Sequence, residues 1–405
     1  MLSFPKGFLW GAATSAYQVE GGNLSSDWWE WEERVKARET SGEACRHYEL
    51  YLQDFDLAKS LNHNCHRLSI EWSRVEPAEG EFAAGELEHY QRVIRALRER
   101  SLKPVVTLHH FTNPAWLARI GGWRNKDAAG YFLRYVEKVV GLLAGEVDFW
   151  VTINEPMVYT YFSYLLGLWP PQDRSLWHAR QVTNSLLDAH IRAYSLIRDI
   201  YQKNNLAYPK ISIAQNMQAF VPCQPTLRNK LAARLRHKHY NLEFIERARR
   251  AGALDFIGVN YYSPSWVELG GWGLHNFTSD VCKAGHQKLR KNSMGWDIYP
   301  QGLFDLLMSL KKFGLPVFIL ENGICTDDDS LRWDYIREHL ESAHKAMRAG
   351  VELMGYVYWS LLDNYEWDKG FGPRFGLIAV DYHTYERAVR ESARKFSAVC
   401  QTGNL

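Results

Sequence analysis

Eight short runs of β-branched and aromatic residues recur along the chain, each followed by a longer segment of helical periodicity. That alternation limits the possible folds more than any other feature. The runs cover residues 8–15, 66–72, 104–110, 149–154, 211–216, 256–261, 317–320 and 355–359. Between them, segments 87–100, 128–143, 182–203, 231–251 and 331–349 carry apolar residues on one helical face. Neighbouring parallel strands need crossover connections of about a dozen residues or more, which such helices supply. Eight strand-plus-helix units without a second compositional zone predict an α/β fold, a single closed (β/α)8 TIM barrel, rather than an open sheet. No Gly/Ser linker or low-complexity tract divides the 405 residues, so one domain over 1–405 is expected. Segment 263–295 is polar and glycine-bearing; it is the longest connection and is expected to be an ordered loop over one barrel face.

The strand ends carry the chemistry. The first run leads to Gln18 and Glu20; the second contains Arg67 and ends at Glu71 and Trp72. The third ends in His109 and His110, the fourth in Asn154 and Glu155, and the fifth in Gln215 and Asn216. The sixth ends in Asn260, Tyr261 and Tyr262, the seventh in Glu321 and Asn322, and the eighth leads to Trp359. Barrel enzymes build their sites at the C-terminal strand ends and the loops that follow. One polar terminus would mean little, because Gly, Ser or Asp often ends a strand. Eight in register, rich in carboxylate, amide, imidazole and indole, predict a single site.

Two of these carboxyl groups, Glu155 and Glu321, are set on strands across the barrel mouth from each other. A pair of carboxyls flanking one bond is what glycoside hydrolysis requires. One gives a proton to the leaving oxygen; the other, ionised, attacks the anomeric carbon or activates water. Arg67 and Tyr262 are available to favour the Glu321 carboxylate, whereas desolvation should keep Glu155 protonated, so their pKa values are expected to move in opposite directions. Retention of configuration would need a carboxyl separation of about 5–5.5 Å, inversion roughly 6.5–9.5 Å. The 16 Trp and 22 Tyr suit the apolar faces and hydroxyl rims of sugars.

Other readings are excluded or set aside. A net charge of +2 implies no polyanion, and the basic segment 228–250 is expected to be a solvated helix face rather than a nucleic-acid site. The acidic run 327–329 suits the approach to a helix N-terminus. His63, Cys65 and His66 are close in sequence, but strand alternation turns Cys65 and His66 apart, so no metal is expected. No apolar run has membrane-spanning length, and the N-terminal residues lack a leader pattern. The six cysteines show no CxxC spacing and are expected to be reduced thiols in a cytoplasmic enzyme.

At its motifs the chain resembles glycoside hydrolase family 1. The carriers are Phe8-Leu-Trp-Gly-Ala-Ala-Thr-Ser-Ala-Tyr-Gln-Val-Glu-Gly21, Thr152-Ile-Asn-Glu-Pro156, Leu320-Glu-Asn-Gly323, and Trp359-Ser-Leu-Leu-Asp-Asn-Tyr-Glu-Trp367 followed by Arg374-Phe-Gly376. They stand in the family order at family-like spacing. The resemblance implies a retaining exo-β-glycosidase, with Glu155 as acid/base and Glu321 as nucleophile. It further implies that Gln18, His110, Asn154, Glu366 and Trp367 bind the terminal sugar through its hydroxyls, over a Trp359 platform. Arg67, Asn260 and Tyr262 would orient the nucleophile, Trp296 would stack on the leaving group, and Asn216 would touch it. No cofactor is implied, and the partner is a small glycoside or oligosaccharide. A binding protein on the same barrel would have lost one glutamate; both are present here.

Three departures from the family pattern stand out. Phe111 takes the place of a common Trp, removing one donor with a typical contribution of about 1 kcal/mol. Leu320 replaces a common Thr, a packing change on its strand. The chain is short for the family, implying trimmed loops and an open leaving-group cleft. Segment 368–374 lacks the Ser, Lys and Tyr set of 6-phosphate-reading members, so unphosphorylated glycosides are expected.

Overall fold

The computed structural model describes residues 2–37, 39–268, 282 and 289–405. Eight parallel strands close into a barrel: β1 (Leu9–Ala13), β2 (Cys65–Ser69), β3 (Lys103–Thr107), β4 (Phe149–Asn154), β5 (Lys210–Asn216), β6 (Ile257–Tyr261), β7 (Val317–Asn322) and β8 (Leu353–Trp359). They follow one another around the ring, and β8 pairs back onto β1, Leu9 against Gly355 through Ala13 against Trp359. Every expected strand is present, with ends shifted by a few residues.

Helix Ala128–Leu143 matches its expected span, and Leu176–Lys203 begins earlier because the Ser175 side chain caps the His178 amide. The expected helix over 231–251 is instead three pieces: Leu227–Arg236, a π-helical turn His237–Leu242, and Glu243–Arg250. Helices Asp27–Val35, His47–Ser60, Pro300–Leu310 and Glu391–Thr402 complete the periphery; their periodicity did not single them out.

Below the site the barrel is filled by large apolar side chains. Phe149, Phe256 and Phe318 meet with ring centroids 5.7–6.1 Å apart, together with Leu9, Cys65 and Val105. Full burial of each such phenyl ring stabilises by about 1.5–3 kcal/mol, so the lower barrel is a plug that fixes the strand ends above it.

Two strands break their alternation just before a glutamate. On β7, Phe318 and Leu320 both join the interior cluster, and Glu321 also faces inward. The pairing with β6 accordingly jumps from Val259–Ile319 to Asn260–Glu321. On β4 the register against β5 slips between Val151 and Asn154, where Thr152 bonds His190 in the helix layer and Ile153 packs outside. Each is a bulge, and a bulge re-aims the residue that follows. Leu320 lies over Gly258, where a Cβ would stand 2.6 Å from its Cδ1. Gly323 is demanded by close approach: a Cβ there would lie 1.8 Å from the Trp359 carbonyl oxygen.

The start of segment 263–295 is a strand, Pro264–Val267, paired parallel with Ala219–Pro222. The rest of that expected loop over residues 269–281 and 283–288 lies outside the described residues. The expectation of six reduced thiols is corrected here. The paired strands bring the chain together beyond their ends, and Cys223 and Cys282 form a disulfide with Cα atoms 5.7 Å apart. Sequence spacing could not signal a bridge across 59 residues. Cys45, Cys65, Cys325 and Cys400 are free. No helix among the described residues is long and apolar enough to cross a membrane.

Candidate active site

A cavity of about 290 Å³ opens at the C-terminal ends of the strands. Gln18, His110, Asn154, Glu155, Asn216, Tyr262, Trp296, Glu321, Trp359, Glu366 and Trp367 all line it, so eleven of the expected site residues share one space. Arg67 and Asn260 do not line it. They lie just beneath, 1% and 0% exposed, and bond to Glu321, Asn154 and Glu155 above them.

Glu155 follows β4 with φ 44° and ψ 58°, a left-handed conformation that a non-glycine residue holds only when its surroundings impose it. Its amide donates to the Ala214 carbonyl at 2.7 Å, and Pro156 opens the helix behind it. Phe111 and Trp367, also in the cavity wall, have positive φ too. Glu155 Oε1 accepts from Asn260 Nδ2 at 2.8 Å and from Asn216 Nδ2 at 3.1 Å. Its hydrogen-bond partners are neutral amides.

Glu321 is held differently. One oxygen accepts from the Arg67 guanidinium and the other from the Tyr262 hydroxyl. Arg67 also donates to Asn154 Oδ1 at 2.6 Å and to Thr107 Oγ1 at 3.2 Å, which locks the guanidinium between β2, β3, β4 and β7. Asn154 Oδ1 accepts a further bond from Asn260 at 3.1 Å, and its amide meets His110 Nε2 at 3.3 Å. Asn260 thus bridges Asn154 and Glu155.

The expectation of opposite pKa movements needs correcting. Burial pushes both carboxyls above their usual range. For Glu321 the Arg67 charge and the Tyr262 and Arg67 hydrogen bonds oppose that push. For Glu155 burial is reinforced by the Glu321 charge and only partly offset by Asn260 and Asn216, giving a value of about 8. The two environments therefore differ in what counteracts burial, a guanidinium and a phenol bonded to Glu321 and only amides bonded to Glu155. Glu366 is likewise raised to about 8 by burial, then by Glu321 and Asp368.

Around these carboxyls the wall is aromatic. Trp359, His110 and Trp367 form a near-parallel row, with His110 to Trp359 at 5.9 Å and His110 to Trp367 at 6.2 Å. Gln18 donates to the Tyr365 carbonyl at 2.8 Å and to Glu366 Oε2 at 3.2 Å, tying the loop after β1 to the loop after β8. Trp296 stands at the outer side, 6.2 Å from the Tyr262 ring and 6.3 Å from Phe375.

Strand-end polarity also pointed to residues that serve elsewhere. Glu20 pairs with Arg74 at 2.8 Å and accepts from Tyr90, while Glu71 accepts from Ser73 and Thr112, all outside the cavity lining. His109 turns away from the cavity to Asn113 at 3.0 Å, as strand alternation requires. In the other direction, Trp169 was not anticipated. It packs on Phe111 at 5.1 Å and on Trp367 at 5.8 Å, and its indole donates to Asp368 at 3.0 Å. Its only signal is an indole set beside two prolines in a loop. Of the basic groups in segment 368–374, Lys369 pairs with Asp368 and Arg374 with Asp363.

Comparison with known proteins agrees with this architecture. The family model for glycosyl hydrolase family 1 matches residues 1–253 and 246–404. Beta-glucosidase A of Thermotoga maritima is 32% identical, over 99% of this chain and 98% of its own. The beta-glycosidase from Pyrococcus horikoshii superposes with a TM-score of 0.93 at 39% identity, covering 100% of this chain and 96% of that one. The Thermotoga maritima beta-glucosidase in complex with glucoimidazole gives 0.91 at 31% identity over the full length of both chains. With barrel, cavity and full-length matches in agreement, the chain belongs to glycosyl hydrolase family 1 and is an O-glycoside hydrolase of the β-glycosidase kind.

Proposed function

We propose that the chain is a retaining, exo-acting β-glycosidase whose main substrates are terminal, non-reducing β-D-glucosides, with β-galactosides and β-fucosides also accepted. The observation that carries this reading is the asymmetry of the two glutamates. Glu155 has only neutral amides as hydrogen-bond partners and is raised to about 8, whereas Glu321 is held by a guanidinium and a phenol. Glu155 gives its proton to the glycosidic oxygen as Glu321 attacks the anomeric carbon and the C–O bond breaks. Glu155, now ionised, takes a proton from water, which attacks the same carbon and releases Glu321.

In this reading the hydroxyls of the terminal sugar meet Gln18, His110, Asn154, Glu366 and Trp367. His110 Nδ1 is buried without a partner and can serve a hydroxyl. Trp359 underlies the ring, and Trp296 meets the leaving group. The small-molecule complexes of the Thermotoga relative support a sugar-sized occupant. All 405 residues act as one catalytic domain. The four free thiols fit a cytoplasmic enzyme, and the Cys223–Cys282 bridge is the feature that pulls the other way.

The test is nitrophenol release from matched β-glucoside, β-galactoside, β-fucoside and 6-phospho-β-glucoside, with Glu321→Gln as control. Turnover of the unphosphorylated sugars with a first-formed β-anomer is expected. An α-anomer first, or activity on the phosphorylated sugar alone, would refute the reading.

A further inference from the structure

Next to the catalytic cavity lies a larger hollow of about 680 Å³, and Phe162, Gln218 and Tyr240 line both. These shared side chains stand on the Asn216 side of the cavity, with the Tyr240 hydroxyl against Asn216. The two π-helical turns among the described residues, Tyr161–Leu165 and His237–Leu242, both contribute to its wall. Such turns are rare and frequently sit at functional sites, because the wider winding re-aims side chains out of the helix ladder. Here the second turn brings the Tyr240 hydroxyl to Asn216 Oδ1 at 3.3 Å, and the Asn216 amide in turn holds Glu155. The wall of the hollow is therefore connected to the acid by two hydrogen bonds.

Its chemistry is aromatic inside and cationic at the rim. Tyr240 meets Tyr161 edge-on at 5.3 Å and Phe220 at 5.9 Å. Four cationic side chains, Arg236, Lys238, Arg247 and Arg250, line the hollow against two carboxylates, Glu243 and Glu246. Both carboxylates are engaged: Glu243 with His239 at 2.7 Å and Arg247 at 3.9 Å, Glu246 with Lys312 at 3.0 Å. Lys238 and Arg250 are exposed and form no ion pair among the described residues. An excess of positive charge is thus gathered in one wall of a molecule whose net charge is only +2.

We propose that this hollow receives the outer part of the leaving group and selects aryl aglycones that carry an anionic group, such as a carboxylate, beyond the ring. The aromatic wall takes the ring and the Lys238–Arg250 rim takes the charge. The proposal rests on the glycosidase reading and adds a substrate class to it.

The probes are the β-glucosides of 7-hydroxycoumarin-3-carboxylate and of its neutral 3-carboxamide, with p-nitrophenyl β-glucoside as reference. The readout is the ratio of kcat/KM for carboxylate over carboxamide, which cancels effects common to both. In the double variant Lys238→Glu/Arg250→Glu this ratio is expected to fall about tenfold, the scale of two exposed charge contacts turned from attraction to repulsion. In the unmodified enzyme the ratio should also decline as salt rises to about 0.5 M, since exposed charges are screened. The salt series decides the matter even if the double variant does not fold. A ratio that neither the variant nor salt moves would overturn the proposal. So would refusal of both coumarin glucosides by an enzyme that cleaves the p-nitrophenyl glucoside. Silence on all three would instead strike the glycosidase reading.

Discussion

The two ends of the catalytic cavity are built on different plans. At one end Gln18, His110, Asn154 and Glu366 project from strand ends and the loops directly after them, tied to one another and to Arg67. At the other, Asn216, Tyr240 and Trp296 are supplied by a strand end, a π-helical turn and a loop that follows the region beyond residue 268. Side chains hung on a closed barrel are fixed by the plug below them, and altering one disturbs all its partners. Side chains presented by helical irregularities and long connections can change one at a time. The first plan suits a part of the substrate that must be read the same way each time, the second a part that varies.

That contrast can be broken experimentally. Glu321→Gln should lower kcat by on the order of 10⁴-fold or more for every substrate, since it removes the attacking group itself. Burst and steady-state kinetics with p-nitrophenyl β-glucoside would show it. Glu155→Gln comes next, with losses of about 10²- to 10⁴-fold on alkyl glucosides and much less on dinitrophenyl glucosides that need little protonation. In the proposed mechanism Glu155 acts in its protonated form, so activity should fall as pH rises through about 8 and that limb should vanish in the variant. Equal losses on both substrate types, or an unchanged basic limb, would remove Glu155 from its role.

Gln18→Ala should cost about 10- to 100-fold in kcat/KM regardless of aglycone, because it leaves buried partners such as Glu366 without their donor. Trp296→Ala should cost only about two- to tenfold, and only on aryl over methyl glucosides, the scale of a single aromatic contact. If Trp296→Ala proved the more damaging and struck methyl glucosides equally, the two ends would not differ as described.

The same division decides how much could be read from sequence. Strand and helix periods located all eight barrel strands, and the residues at and after their ends named eight cavity-lining groups, while the family resemblance supplied Trp296, Glu366 and Trp367. They succeeded because inward alternation and strand-end position are local properties. Glu20, Glu71 and His109 show the limit of the rule, since a polar strand end serves equally well as a buried girder. The π turn at His237–Leu242 was invisible, since a single extra residue per turn leaves the amphipathic period of its neighbours nearly intact. Trp169 and the Cys223–Cys282 bridge depend on contacts between distant segments, which no local pattern reports. The raised pKa of Glu321 escaped for another reason: the sequence named its partners but not how deeply the site would be buried.

The bulges ahead of Asn154 and Glu321 have a consequence at the level of the gene. Along β7, Phe318 and Leu320 already face the interior, so regular pleating would send the next side chain outward among the helices. Three steps separate Phe318 from Glu321, and straightening the strand at that count would carry the carboxyl out of the cavity, whereas an in-frame loss of one codon between them would restore the pleat with the carboxyl still inward. The aim of this carboxyl is therefore a matter of parity: an odd number of steps from Phe318 needs the bulge to face the cavity, and an even number would not.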